Sequence, residues 1–522
     1  MPYPIPAIRG VTGVTLKGLN KYYHKSIERG RPVDRIQVVD NIIYTKEGGQ
    51  SNNYVVKLDF DGNVLNSVTL ATGKDGNQLV GLYVGDTDSD GDVEVIVTVD
   101  DWFWINSTSK IVMLRASDLS TKHSTHIDDR TTFFSVGDVD KDNKLEFFVQ
   151  VDYTSYTLKW YEDDLTYIRD TGNSNGRPWG NYLPAVIYDI DEDGNNEVIY
   201  GTYGDHYLRI YGPDGTEKYN LDVGHDAAFP AIGDLDGDGK PEIIVKGGGK
   251  ISAVKFSGGS LTKLYEVDGG SWALIMDYDG DGNNELITAY NPSGTEDAVV
   301  KVYKGSDGSL KQSITLSNAG SVCSLIHYDT YTYHYLNDFV NHYPSSRYII
   351  LTTSSNLIIF HPRDLSSYSI VPLSHTASSC ATVVGEINGE KYIFVGENDR
   401  IEIFKLLLVT ETSETLKQSV SPDLNFMYYV EGIHVIANNP SGSGVTLYFK
   451  VKAELDNGSE VELASKSVSE GDSFDSWLRW IYDSVTNQKI IKSIKLYAYC
   501  SDTPASGSEP TVQLERVTGL QG

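Results

Sequence analysis

The residues of this chain best equipped for chemistry are carboxylates, and they come in sets. Asp234, Asp236 and Asp238 alternate through the stretch Asp234-Leu-Asp-Gly-Asp-Gly-Lys-Pro-Glu242, and Glu242 closes the set. Gly237 and Gly239 let the backbone curl tightly, which turns a main-chain carbonyl inward and returns Glu242 to the same point. Four carboxylates held this close repel one another, and a hard, oxygen-seeking cation relieves that repulsion. The set recurs as Asp86, Asp88, Asp90 and Glu94, and as Asp138, Asp140, Asp142 and Glu146. It recurs again as Asp189, Asp191, Asp193 and Glu197, and as Asp277, Asp279, Asp281 and Glu285. About five calcium sites are expected. No His or Cys accompanies these carboxylates, and calcium is a weak Lewis acid beside zinc, so the expected role is structural rather than catalytic.

Each acidic loop must be held by the elements on either side of it. Short apolar runs precede it (Leu82-Tyr-Val, Ala185-Val-Ile-Tyr, Ala273-Leu-Ile-Met) and follow it (Val95-Ile-Val, Val198-Ile-Tyr, Ile243-Ile-Val). Such runs are too short for helices and are bounded by turn residues, so each pair reads as a buried hairpin. A second hairpin follows, as in Leu208-Arg-Ile-Tyr-Gly-Pro-Asp-Gly-Thr-Glu-Lys-Tyr. Four strands repeating at roughly 50 residues is the period of a propeller blade.

Hairpin pairs count to eight units. The first lacks the acidic loop (Ile36-Gln-Val-Val-Asp-Asn-Ile-Ile-Tyr), the next five carry it, and the seventh is expanded from His327 through Tyr343. The eighth keeps Gly385-Glu-Ile-Asn-Gly-Glu but loses the ligand ladder, and after Ile401-Glu-Ile-Phe no fourth strand is evident. The N-terminal stretch around Val11-Thr-Gly-Val-Thr-Leu is the candidate for that strand, closing the ring and removing exposed edges. The expectation is an all-β chain: an eight-bladed β-propeller over 1–408, with seven blades as the alternative. A polar linker over 409–422 and a small antiparallel β-sandwich over 423–522 follow, with a short helix at Ser473-Phe-Asp-Ser-Trp-Leu-Arg-Trp-Ile.

Composition narrows the function. The chain has 522 residues, 43 Lys+Arg against 72 Asp+Glu, and a formal net charge of -29. That balance argues against nucleic acid and anionic membrane surfaces, and no apolar stretch of about 18 residues is present to insert into a bilayer. Met1-Pro-Tyr-Pro-Ile-Pro-Ala-Ile-Arg lacks the basic and apolar regions of a signal peptide. Calcium loops of this kind suit millimolar calcium, so an extracellular setting (secreted, cell-surface or particle-associated) is expected, with particle assembly as one route outward. Three cysteines, Cys323, Cys380 and Cys500, are too few for a disulfide framework and are expected as free thiols.

The D-x-D-x-D-G-x-x-E loop inside a strand-loop-strand repeat resembles the FG-GAP family of propeller repeats over about residues 35–408. The resemblance implies a calcium-binding propeller and leaves function open. Blade three departs from the pattern with Asn143 where glycine is usual, a residue that tolerates the left-handed conformation. In a propeller the acidic loops share one face. The opposite rim then collects Asp100-Asp-Trp-Phe-Trp-Ile-Asn106, the stretch ending at Arg130, Thr171 to Tyr182, Tyr203 to His206, and Gly224-His-Asp226. Aromatics beside polar groups on long loops serve sugar or protein recognition, so Trp102, Trp104, Arg130, Trp179, Tyr182, His206 and His225 are the candidate contacts. The Tyr-rich stretch from Tyr328 to Tyr343 is a second candidate surface.

The expected function is an extracellular binding and assembly protein that recognises glycans or proteins on a cell or particle surface. Self-association, as part of a virion or filament, belongs to the same expectation. The alternative follows from a further resemblance, to the propellers of rhamnogalacturonan lyases. There His206, His225, Arg130, Arg177 and Lys246 would neutralise a uronate and abstract a proton. No motif beyond the calcium loops supports that alternative, and a strongly negative chain is poorly matched to a polyanion.

Overall fold

The computed structural model describes residues 22–48, 52–72, 77–101, 109–127, 131–151, 157–171, 185–202, 205–270, 272–279, 281–327, 348–360, 365–366, 368–374, 381–406, 415–420, 427–455, 459–483, 491–504 and 510–521. Its contacts separate a unit of residues 26–403 from one that holds 404–522, and the two are taken in turn.

Among the described residues the first unit is built from eight four-stranded antiparallel sheets. Seven run in plain sequence order, over residues 33–72, 77–127, 131–170, 185–222, 228–268, 272–316 and 322–372. These are blades one to seven of an eight-bladed propeller. Blade eight takes three strands from 382–406, and its outer strand is Tyr22–Glu28, paired with Arg400–Leu406. The ring is therefore closed from the N-terminal side, but by a later segment than Val11–Leu16, which lies outside the described residues. The signal in Tyr22–Glu28 is faint because only one of its described side chains, Ile27, is buried apolar; the strand holds by backbone pairing and by Ser26 Oγ donating to Glu402 Oε1 at 3.1 Å.

Blade stacking explains why the apolar runs lack alternation. Second strands such as Glu146–Val151 and Glu197–Gly201 are buried at every position, because both of their faces meet a neighbouring blade. Fourth strands such as Thr121–Ile127 and Glu217–Asp222 lie outermost and alternate between exposed and half-buried. Successive blades share apolar clusters: Tyr83, Ile96 and Met113 with Phe134, Phe147 and Val149, then Phe148 and Trp160 with Ile187, Val198 and Tyr200. Blade eight meets blade one through Val383, Ile387 and Phe394 against Val33, Ile36 and Val38. It meets blade seven through Thr382 Oγ1 on Thr352 Oγ1 at 2.9 Å.

Blades one and eight replace the acidic loop with two-residue hairpin turns, Asp40-Asn41 and Asn388-Gly389, each with both residues at positive φ. These turns touch each other, since the Asn388 backbone N–H donates to Asn41 Oδ1 at 2.5 Å. The Tyr328–Tyr343 surface of blade seven lies outside the described residues.

Among the described residues the second unit is a seven-stranded β assembly folded as a sandwich. Met427–Asn438 pairs with Ser473–Asp483 and with Thr511–Gln521. Leu447–Leu455 pairs with Glu460–Val468 and with Ile491–Cys500. A single ladder contact, Met427 with Ile491, links these two sets of strands. Their core joins Val435, Ala437 and Val512 from one layer to Phe449, Val451, Leu496 and Ala498 from the other. Leu447–Leu455 alternates strictly between buried and half-buried. Two expectations are corrected here. Ser473–Asp483 is a strand and not a helix: it is laddered against Met427–Asn438, and Phe474 packs on Phe449 at 5.5 Å between ring centroids. Long-range pairing overrides the local pattern. Thr415–Val420, within the expected linker, is a strand paired to Ile491–Cys500. Cys323 and Cys500 are both buried; Cys380 lies outside the described residues.

Candidate metal centres and the opposite rim

All five acidic loops adopt one hydrogen-bonded form, set by which carboxylate oxygen caps which backbone N–H. The closing glutamate begins the second strand of its blade and is almost fully buried at Glu94, Glu146, Glu197, Glu242 and Glu285. One of its oxygens accepts the N–H of the loop's second residue, at 3.0 Å from Thr87, 2.7 Å from Val139, 3.1 Å from Ile190, 2.7 Å from Leu235 and 2.9 Å from Tyr278. The first aspartate accepts from the sixth residue: Gly91, Asn143, Gly194, Gly239 or Gly282. That sixth residue has positive φ in every copy, and Asn143 adopts it at 69°. The remaining oxygens converge.

Ligand atoms lie within 4.8 Å of one another in Asp86/Asp88/Asp90, Asp138/Asp140/Glu146, Asp189/Asp191/Glu197, Asp234/Asp236/Asp238 and Asp277/Asp279/Glu285. The other expected ligands, Glu94, Asp142, Asp193, Glu242 and Asp281, border these groups. The donor set is all oxygen, which suits calcium. Asp88 Oδ1 and Asp189 Oδ1 are buried with no hydrogen-bond partner, and Glu242 Oε1 has none beyond an ion pair at 3.6 Å with Lys255; carboxylate oxygens in that state are ones an ion would satisfy. The residues fit the metal.

Neighbouring loops are also stitched together. Asn196 Nδ2 donates to the Asp138 carbonyl and Asn284 Nδ2 to the Asp234 carbonyl, each at 2.6 Å. Lys141 Nζ donates to the Gly194 carbonyl at 2.5 Å, and Lys240 pairs with Glu192 at 2.7 Å. Ser89 Oγ donates to the Asn143 carbonyl, so the carboxylates sit in a belt that runs from blade two to blade six.

Sequence reasoning missed the cations that enter four of these loops. Lys122 Nζ lies 2.8, 3.1 and 2.8 Å from Asp88, Asp90 and Glu94. Lys218 Nζ lies 2.6, 2.8 and 3.1 Å from Asp191, Asp193 and Glu197. Lys311 Nζ lies 2.5, 3.5 and 2.8 Å from Asp279, Asp281 and Glu285. Lys255 pairs with Asp236, and its Nζ lies 2.6 and 3.6 Å from Asp238 and Glu242. Burial works against each ammonium group, but the carboxylates outweigh it and hold all four pKa values above the usual lysine range. Three of these lysines sit at a β-bulge. Lys122, Lys218 and Lys311 are each the unpaired extra residue of a fourth strand, and the bulge aims the side chain at the loop.

Blade three differs. Its bulge residue is Ile168, half-buried against Val139, Phe148 and Trp160. Among the described residues no lysine pairs with Asp138, Asp140, Asp142 or Glu146. Burial pushes the Glu146 carboxyl up to about 8, the Val139 N–H partly opposing and the neighbouring aspartates adding to the rise.

On the opposite rim, Trp102, Trp104, Arg130, Trp179 and Tyr182 lie outside the described residues, as does Arg177. His206 is half-exposed, at positive φ, with Nε2 3.8 Å from Asp226 Oδ1. His225, a candidate contact, is buried and pinned on both ring nitrogens. Its Nδ1–H donates to the Asp226 carbonyl at 2.8 Å, Nε2 accepts from Ser252 Oγ at 2.7 Å, and burial lowers its pKa. Lys246 is buried over the Trp272 ring at 5.5 Å, and desolvation pushes its pKa down to about 7. The unfolded chain keeps an ordinary lysine near 10.5, so between about pH 7 and 10.5 it binds one proton more than the folded chain. Folding stability should rise with pH across that window, by up to about 1.4 kcal/mol per pH unit. Lys246→Met should flatten that rise in urea melts run from pH 7 to 10; an unchanged slope would refute the assignment.

Fold and site together define a β-propeller built on calcium-type acidic repeats. Residues 189–245, from the blade-four loop into blade five, match the FG-GAP-like repeat family. No curated protein matches the chain in sequence. Solved structures with a similar fold include Sqt1 from Chaetomium thermophilum, at 12% identity and a TM-score of 0.47, covering 73% of this chain and 98% of that one. The propeller of Dos1 aligns at 8% identity and 0.46, over 74% and 95%. The Vibrio cholerae (V. cholerae) biofilm matrix protein Bap1 aligns at 13% and 0.37, over 84% and 69%.

Proposed function

We propose that this chain is an extracellular binding and assembly module whose propeller is stiffened by calcium. The observation that carries the reading is the fivefold recurrence of one all-oxygen loop on one face of the ring, with orphaned buried carboxylate oxygens in three of the five copies. Asp86, Asp88, Asp90 and Glu94, with their four counterpart sets, would hold the ions. Bound calcium would supply charge compensation and cross-bracing between the first two strands of each blade. Chemistry at these loops is disfavoured because nearly all of the carboxylates, Asp88 excepted, are also tied into the backbone of their own loop. The opposite rim is then the recognition surface, for a glycan or protein on a cell or particle.

The chain should bind an immobilised glycan or protein ligand, or itself, in calcium and lose that binding in chelator. A glycan array together with light scattering in calcium checks this. Blank arrays with no self-association would remove the binding reading.

A second reading is a polysaccharide lyase acting on rhamnogalacturonan-like pectin, in which Lys246, laddered opposite Ala228 beside the His225 loop but buried over Trp272, would have to be uncovered by substrate to act as the base. Incubation with pectic polysaccharide and calcium decides it, since β-elimination leaves an absorbing unsaturated uronate.

A further inference from the structure

Resting on the calcium reading above, we propose that the five loops form two classes, in which a strand lysine is the resident counter-cation of four loops and calcium fills the blade-three loop first. Lys122, Lys218, Lys255 and Lys311 each grip the third, fifth and ninth positions of their loop, the same carboxylates that calcium would draw on. An ammonium group and a divalent cation cannot share those oxygens without repelling each other at close range. In these four blades the lysine must swing out, or stand off, before the ion is fully ligated.

Blade three is built the other way. The bulge that carries lysine in blades two, four and six carries Ile168 there. Blade five keeps the rule by a different route: its bulge residue is Leu264, and Lys255 on the adjacent strand, laddered opposite Glu242, supplies the cation. Among the described residues blade three has no such substitute. Glu162, one residue past the ladder pair Phe147–Tyr161, continues that register to lie opposite Glu146 and adds a further carboxylate to this blade. Its nearest lysines turn away, Lys144 to Asp163 at 3.1 Å and Lys141 to Asp189 at 3.4 Å. The consequence is a ring that keeps four loops ordered by lysine when calcium is scarce and uses blade three as its high-affinity entry point.

The test is a calorimetric titration of calcium into the chelator-treated full chain, for wild type, Lys218→Met and Ile168→Lys. Wild type should show one site tighter than the rest by roughly tenfold to a hundredfold. Lys218→Met should show two tight sites, a lower melting temperature without calcium and a larger rise with it. Ile168→Lys should lose the tight site; if that variant fails to fold, Lys218→Met alone decides. Sites of one affinity, unchanged by Lys218→Met, overturn the two classes and leave the calcium reading standing. No calcium uptake by wild type at millimolar concentration overturns the calcium reading and this inference with it.

Discussion

Chelation of divalent cations is expected to lower the melting temperature of the propeller by about 10 °C or more. An ion held at a hundred times its dissociation constant adds about 2.7 kcal/mol to the folded state, and the belt offers five such loops. One kcal/mol moves the melting temperature of a large domain by about 2 °C. The lysines moderate the loss, because four loops keep one internal positive charge after the ion leaves. The effect should be specific: calcium restores the melt, while magnesium, which demands a small octahedral shell, restores it poorly. Scanning calorimetry in calcium, in chelator, and after readdition of each metal measures this, and a melt indifferent to chelator would contradict it.

Removal of residues 1–28 should have the second large effect, because it deletes the outer strand of blade eight. Arg400–Leu406 would then present an unpaired edge, and Ile27 would leave the cluster it shares with Ile401, Ile403 and Leu58. The truncated chain is expected to lose its cooperative melt and to elute as aggregates on size exclusion. Ile27→Asp isolates the same contact without shortening the chain, and burying a carboxylate there should cost about 3 kcal/mol or more. A truncated chain that stays monomeric with the parent melting temperature would show that the ring does not depend on this closure.

The parts of the architecture visible in the sequence are those set by local chemistry. The acidic loops announce themselves because each ligand position needs a carboxylate at a fixed offset, and because left-handed backbone falls on Gly91, Gly194, Gly239, Gly282 or the tolerant Asn143. The blade strands show as apolar runs because neighbouring blades cover both of their faces. What stayed hidden depends on partners distant in the chain. Tyr22–Glu28 is a strand because Arg400–Leu406 offers it an edge, and Ser473–Asp483 because Met427–Asn438 does. Lys122, Lys218 and Lys311 look like ordinary surface lysines until the bulges turn them inward. One signal was available: each lies one or two residues past a turn that contains an aspartate, Asp118, Asp214 or Asp307 with its Ser or Thr two residues on, and the blade-three counterpart ends in Tyr167-Ile168 instead. His225 attracted a functional reading from its sequence neighbourhood, whereas its geometry is that of a pin between Asp226 and Ser252.

Structural calcium sites at the recurrent carboxylate loops can be counted as bound ions. Equilibrium dialysis of the chelator-treated full chain against millimolar calcium, read by atomic absorption, should find five ions per chain, one for each loop. Binding of none, or an uptake that survives replacement of the closing glutamates Glu94, Glu146, Glu197, Glu242 and Glu285 by glutamine, would contradict it.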